Sequence, residues 1–284
     1  MTWQTANSPK DLSSHYPFGE NWADYARKID DSRIAEAEAG LKKLFGEDGL
    51  SGKTFLDVGC GSGLHSLVAL RLGCDRVLAL NIDRVSVMTV RTLLQSGWEG
   101  TNWECRELNV FDLSPDSLGR IDVVYSWGVL HHTGAMWEAV EKAADMVRPG
   151  GLFAIALYNK NALTGFWKAE KRAYKSLPPA LRAVVRWAYI LVLRFALLVT
   201  GQGPDKVRSF KRFVSEYEQS RGMNFYNGVD DWLGSYPYEA TTPAEIDAHL
   251  NALGFQPMRT FTNPPGLGLW GAGNDEFVYR RVGT

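Results

Sequence analysis

The residues best suited to chemistry form the run Asp57-Val58-Gly59-Cys60-Gly61-Ser62-Gly63, which closes the short apolar stretch Thr54-Phe55-Leu56. Glycines permit a tight turn and let a backbone approach a ligand closely. The N–H groups at the start of a following helix attract negative charge. In dinucleotide-binding folds such a turn holds a pyrophosphate. Here the spacing is GxGxG and not GxGxxG, and an acidic residue precedes the first glycine. A carboxylate suits an ammonium group, so the loop is expected to hold a cofactor with an amino-acid moiety. A second constellation is the pair His131-His132, which follows Tyr125-Ser126-Trp127. Adjacent histidines point in different directions, so they are not expected to share one role. His131 is the expected general base for a hydroxyl or amine nucleophile; His132 either joins it or bonds local backbone. No metal is expected, because no third ligand stands near the pair and Cys60, Cys74 and Cys105 form no CxxC motif.

The elements that must position these groups follow from periodicity. Residues 20–46 read as one helix. Short apolar runs at 54–58, 76–80, 103–108, 121–126 and 152–158 read as strands, with helices at 64–72, 85–95 and 136–147 between them. That alternation implies right-handed crossovers and a doubly wound, Rossmann-like α/β sheet. The pattern breaks over 160–236 and resumes with a helix at 242–253 and strands at 255–262 and 276–281. The expected layout is an N-terminal helical segment (1–50) covering the cofactor, a Rossmann-like domain (51–158 and 240–284), and an inserted helical cap (159–239) that binds substrate.

A chain of 284 residues, 45% apolar and 22% charged, can build one large soluble α/β domain with an insertion. Its net charge of −1 conceals an asymmetry: between Lys160 and Arg212 stand twelve Lys or Arg residues against Glu170 and Asp205 alone. Such a segment is either a solvated helical face or faces an anionic substrate, an anionic membrane or nucleic acid. Residues 183–200 are nearly long enough to span a bilayer, but Arg186 and Arg194 interrupt them. Arg182, Arg186 and Arg194 fall on one stripe of an amphipathic helix. That helix is expected to pack on its own domain, with peripheral membrane contact through 180–200 as the alternative. The N-terminus has no basic segment followed by an apolar run, and with the unpaired cysteines this points to a cytoplasmic protein.

In its glycine loop and the strands around it, the chain resembles the class I S-adenosylmethionine-dependent methyltransferases, in their small-molecule, quinol methylase-like branch. The resemblance runs over about 18–158 and resumes near 240. It implies a seven-stranded sheet, mostly parallel with the last strand antiparallel, and S-adenosyl-L-methionine as cofactor. Asp57, Gly59, Cys60, Gly61 and Gly63 would hold its methionine part. The family ends its second strand in an acidic residue on the ribose; here Asn81 stands there, with Ile82 and then Asp83 behind it. Either Asn81 or Asp83 takes the ribose, unless Asp83 only caps the next helix. Asn109, with Val110 beside it, is first choice for the adenine and Asp112 second, unless Asp112 caps a turn. Ser126 and Trp127 complete the cofactor contacts.

Trp22 is expected over the sulfonium, a cation that an aromatic face attracts by roughly 0.5–2 kcal/mol, with Phe18 and Tyr25 toward the substrate. The same aromatics could equally clamp the helix to the core. Further substrate contacts are expected from His131, Tyr158 and Asn159, from Arg221, and from Asp231, Trp232, Tyr236 and Tyr238. The implied activity is methyl transfer to a small molecule, on oxygen of an aromatic, quinol-like or other bulky metabolite of anionic or amphiphilic character. Two other readings stand beside it. One is a nucleic-acid or protein methyltransferase using the basic insertion, although no Asn-Pro-Pro-Tyr-type motif follows the fourth strand and Asn263-Pro264-Pro265 lies much later. The other is a cofactor-binding protein without catalysis, which the Asn81 departure allows. Oligomeric state leaves no signal in the sequence.

Overall fold

The structure, a computed structural model, describes residues 18–199, 210–221, 225–262 and 273–283. The Asn263-Pro264-Pro265 run lies outside the described residues. Two helices, α1 (Phe18–Ala26) and α2 (Asp31–Phe45), lead into β1 (Thr54–Val58), α3 (Leu64–Arg71), β2 (Arg76–Asn81), α4 (Arg84–Gly97) and β3 (Trp103–Glu107). Then come α5 (Pro115–Leu118), β4 (Ile121–Trp127), α6 (Met136–Asp145) and β5 (Val147–Tyr158). The inserted helices are α7 (Thr164–Ser176), α8 (Pro179–Val199), α9 (Phe210–Arg221) and α10 (Phe225–Gly234). The chain returns to the sheet through α11 (Pro243–Ala252), β6 (Phe255–Phe261) and β7 (Asn274–Arg281).

The seven strands lie in the order β3-β2-β1-β4-β5-β7-β6. The β1–β5 pairs are parallel, and β7 runs antiparallel to both β5 and β6. Alternation along β1 builds the two faces: Phe55 joins the cluster under α2, α3 and α4, while Leu56 and Val58 join the one under α6 and α11. The order of strands reverses between β1 and β4, and open α/β sheets bind ligands beyond the carboxyl ends of their strands at that point.

Two boundaries depart from expectation. Residues 20–46 are two helices, because the Asp30 carboxylate accepts the Arg33 N–H at 3.0 Å and so starts a new helix. The fifth strand begins at Val147, which pairs with Ile121; the next pair is Val123 with Leu152, so Pro149-Gly150-Gly151 is a bulge within the strand.

The inserted helices have their own core of Tyr174, Ile190, Phe225, Val229 and Leu233. A second cluster, Tyr158, Trp167 and Tyr238 with Trp232, joins them to the end of β5. Lys171 pins this joint. Its buried ammonium donates to the Trp232 carbonyl at 2.7 Å and sits 3.4 Å from the centre of the Trp232 ring. Burial pulls its pKa down to about 8, against the opposing pull of Glu170.

Candidate active site

One cavity of about 1450 Å³ lies beyond the carboxyl ends of β1, β2 and β4 and extends under the inserted helices. Its floor is the glycine loop. Gly59 has φ +79°, and a Cβ there would meet Val129 Cγ1 at 2.5 Å. Gly61 has φ +54°, and a Cβ there would stand 3.2 Å from the Trp22 ring of α1. Both positions therefore need glycine for conformation and for close approach. Asp57 ends β1 almost wholly buried, and the Ser66 hydroxyl donates to its Oδ2 at 2.6 Å. Burial raises its pKa to about 7, with Ser66 pulling the other way. A buried carboxylate of this kind is short of a cation.

At the end of β2, Asn81 Oδ1 accepts the Asp83 N–H at 2.9 Å, and Asp83 in turn accepts the Ser86 N–H at 2.9 Å. Asp83 thus caps α4, while the Asn81 amide keeps its two N–H donors at the cavity wall. Asn109 caps a short turn by accepting the Phe111 N–H at 3.1 Å and lines the cavity with Val110.

The two histidines are held in opposite tautomers. His131 is fully buried, and its Nδ1 accepts the Tyr158 N–H at 3.2 Å. In the neutral ring the proton is therefore on Nε2, and the single lone pair is already committed. Burial, then the neighbouring His132, holds its pKa well below the ordinary value. The His131 lone pair thus faces the Tyr158 N–H, against the role expected of it as the base. His132 places Nδ1 2.8 Å from the Pro237 carbonyl. A carbonyl only accepts, so Nδ1 carries the proton and Nε2 the lone pair. His132 is half-buried, and the Phe18 ring lies 5.9 Å from its own.

The far wall belongs to the inserted helices. Tyr189 and Leu193 of α8, Phe213 and Tyr217 of α9, and Phe225 of α10 face the cavity. Asp231 and Trp232 stand beside them, and burial lifts the Asp231 carboxyl to about 7 against the pull of Lys171. Of the Lys and Arg residues between 160 and 212, none among the described residues lines the cavity.

Residues 56–155 match the family described as methyltransferase domain. Over those residues the chain is similar to a methyltransferase domain. The ubiquinone biosynthesis O-methyltransferase of Cupriavidus pinatubonensis is 29% identical over 174 residues, 61% of this chain and 59% of that protein. The tRNA U34 carboxymethyltransferase of Idiomarina loihiensis is 32% identical over 107 residues, 37% of this chain and 32% of that protein. The chain thus spans less than two thirds of the length of these curated relatives. A magnesium protoporphyrin IX methyltransferase from Synechocystis, solved with bound SAM, superposes with a TM-score of 0.57 at 13% identity, covering 98% of this chain and 100% of that one. At that identity the likeness is one of fold.

Within and beside the methyltransferase domain, most expected site residues meet at the cavity. Asp57, Gly59, Cys60, Gly61 and Asn81 line it, as do Ile82, Asp83, Asn109, Val110 and Trp127. So do Phe18, Trp22 and Tyr25 of α1, and His131, His132, Tyr158, Asp231 and Trp232. Others stay outside. Gly63 begins α3 behind the loop, and Asp112 is exposed away from it. The buried Ser126 hydroxyl donates to the Val58 carbonyl at 2.9 Å and ties β4 to β1. Asn159 bridges to Thr241, Tyr238 is wholly buried in the joint, and Tyr236 does not reach the wall. The side chain of Arg221 lies outside the described residues. Tyr189, Phe213, Tyr217 and Phe225 of that wall were not anticipated, nor was His65, which follows the loop and whose pKa burial lowers to about 4.

Proposed function

We propose that this chain transfers a methyl group from S-adenosyl-L-methionine to oxygen of a bulky, amphiphilic small molecule with an aromatic, quinol-like body. What carries this reading is the continuity of one cavity from the glycine loop to the aromatic wall, with His132 between them. Single-ligand pockets usually span about 300–1,000 Å³, so 1450 Å³ leaves room for a cofactor and a second molecule. In this reading residues 1–50 cover the cofactor and 159–239 bind the substrate.

The residues present suit that cofactor. Asp57 meets the ammonium of its methionine part and gains the cation that its burial lacks. The glycine backbone at 59–61 lets the methionine part lie close, and the Trp22 ring closes over it from α1. Asn81 donates to the ribose; Asn109 and Val110 hold the adenine. When bound, S-adenosylmethionine supplies a methyl on a sulfonium: the methyl carbon bonds to the substrate oxygen as the carbon–sulfur pair returns to sulfur, leaving a neutral thioether. Orienting the oxygen against that methyl is worth about 7–11 kcal/mol. His132 Nε2 takes the hydroxyl proton, and the Pro237 carbonyl holds the ring in that tautomer. Asp231 orients the substrate by accepting a hydrogen bond, and Tyr158, Trp232 and the α8–α10 aromatics pack its body.

The basic insertion and the tRNA-modifying relative favour a second reading, transfer to RNA. Incubation with methyl-labelled cofactor separates them. Hydroxylated aromatic small molecules should take up label that partitions into organic solvent, at a rate nearly independent of salt. Label in bulk RNA, with uptake falling steeply as salt rises, would overturn the small-molecule reading.

A further inference from the structure

Two cations of helix α8 point inward: the Arg182 guanidinium donates to the Leu177 and Lys175 carbonyls at 2.8 and 2.7 Å, and Arg186 pairs with Asp230 at 2.8 Å. Ile190 joins the core of the insertion, and Tyr189 and Leu193 face the cavity. The outer side therefore carries Leu181, Val184, Trp187, Leu191, Val192 and Phe195, each between 49% and 67% exposed. At about 100° per residue these six share one stripe, and at about 1.5 Å per residue it is about 21 Å long. A contiguous apolar face of this kind marks an interaction surface.

The charge around the stripe selects its occupant. Helix α8 carries no acidic residue. At its far end the Arg194 guanidinium lies 5.0 Å from the Phe210 ring, and the exposed Lys211 and Arg212 follow Phe210 along α9. A two-fold dimer through this face would press the same basic rim against itself. An RNA partner would leave the six apolar side chains without a role. Among the described residues no helix is long and apolar enough to cross a membrane. A helix that lies flat in the boundary of an anionic bilayer satisfies both the stripe and the rim.

We propose that α8 docks this chain on an anionic lipid surface, with the Leu181–Phe195 stripe at the acyl boundary and Arg194, Lys211 and Arg212 among the headgroups. The inner face of the same helix is cavity wall, so the aromatic half of the cavity stands one helix thickness from the lipid. The docking itself does not rest on the methyl-transfer reading.

The test is flotation of the full chain with vesicles of phosphatidylcholine alone or mixed with phosphatidylglycerol. The chain should float with the mixed vesicles and bind about 100-fold more weakly to the uncharged ones, as three cations near an anionic surface imply. The double variant Trp187→Glu, Phe195→Glu should lose at least about tenfold of that binding, since both changes place a charge where apolar contact is required. Its melting temperature and its affinity for S-adenosylhomocysteine should not move. Should that variant misfold, Arg194→Glu should still weaken binding to the mixed vesicles while leaving the uncharged ones unaffected. Failure of the native chain to float with mixed vesicles would overturn the proposal. So would equal binding to both vesicle types, flotation indifferent to both variants, or a native dimer that the double variant makes monomeric.

Discussion

The cavity has two halves built on different principles. In the sheet half, polar groups sit at strand ends and are fixed by backbone: Asn81 holds the Asp83 N–H, Asn109 the Phe111 N–H, and the glycines turn without side chains at all. In the half under the inserted helices the wall is aromatic and is fixed by packing, with Lys171 as its main polar tie. Backbone-fixed donors and acceptors recognise one ligand by position. An aromatic wall recognises shape and apolar area, and can change from one protein to the next without disturbing the sheet.

The sharpest test of the contrast lies at the junction of the halves. His132→Ala should lower kcat by about 10²–10⁴-fold with little change in cofactor affinity. His131→Phe, by comparison, should retain most of the rate if folded, since the His131 lone pair is committed to the Tyr158 N–H. Next in size, Asp57→Asn should weaken S-adenosylhomocysteine binding by about 10–100-fold in calorimetry, the usual worth of a charge-assisted hydrogen bond, and leave the substrate half untouched. Trp232→Ala or Tyr217→Ala should do the reverse, raising KM for the small molecule by roughly tenfold through lost apolar burial, with cofactor affinity unchanged. If both variants shift both affinities equally, the division into halves is wrong.

A separate effect is on stability. The folded pKa of Asp57, about 7, lies above its ordinary 3.8, so the unliganded fold favours the protonated carboxyl. That contribution is full below pH 3.8 and is lost as pH rises through about 7, up to about 4 kcal/mol for a gap of this size. Without cofactor, Asp57→Asn should therefore melt higher than the native chain at pH 8, and the difference should shrink at pH 5.

Much of the sheet half was legible in the sequence because its signals are local. A strand, three glycines and a helix lie within a few residues of each other, and the alternation of elements dictated a doubly wound sheet. The roles of the two histidines were not legible, because each tautomer is set from afar, His131 by Tyr158 and His132 by Pro237. Beyond Tyr158 and Trp232, the aromatic wall was not legible either. Tyr189, Leu193, Phe213 and Tyr217 recur at helical spacing, which also describes residues buried in an ordinary core. For α8 the periodicity predicted two unlike faces, yet could not say which turns inward. That depends on the Asp230 carboxylate and on the carbonyls at the end of α7.

The contact between Trp22 and Gly61 bears on the timing of turnover. Helix α1 lies across the glycine loop, and its Gly19 packs so tightly on Asp83 that a Cβ would fall 2.1 Å from the carboxylate oxygen. Exchange of the cofactor past α1 would require Gly19 and Trp22 to part from Asp83 and Gly61. The expected kinetic order is cofactor first and demethylated cofactor last, with opening of α1 setting the pace between turnovers.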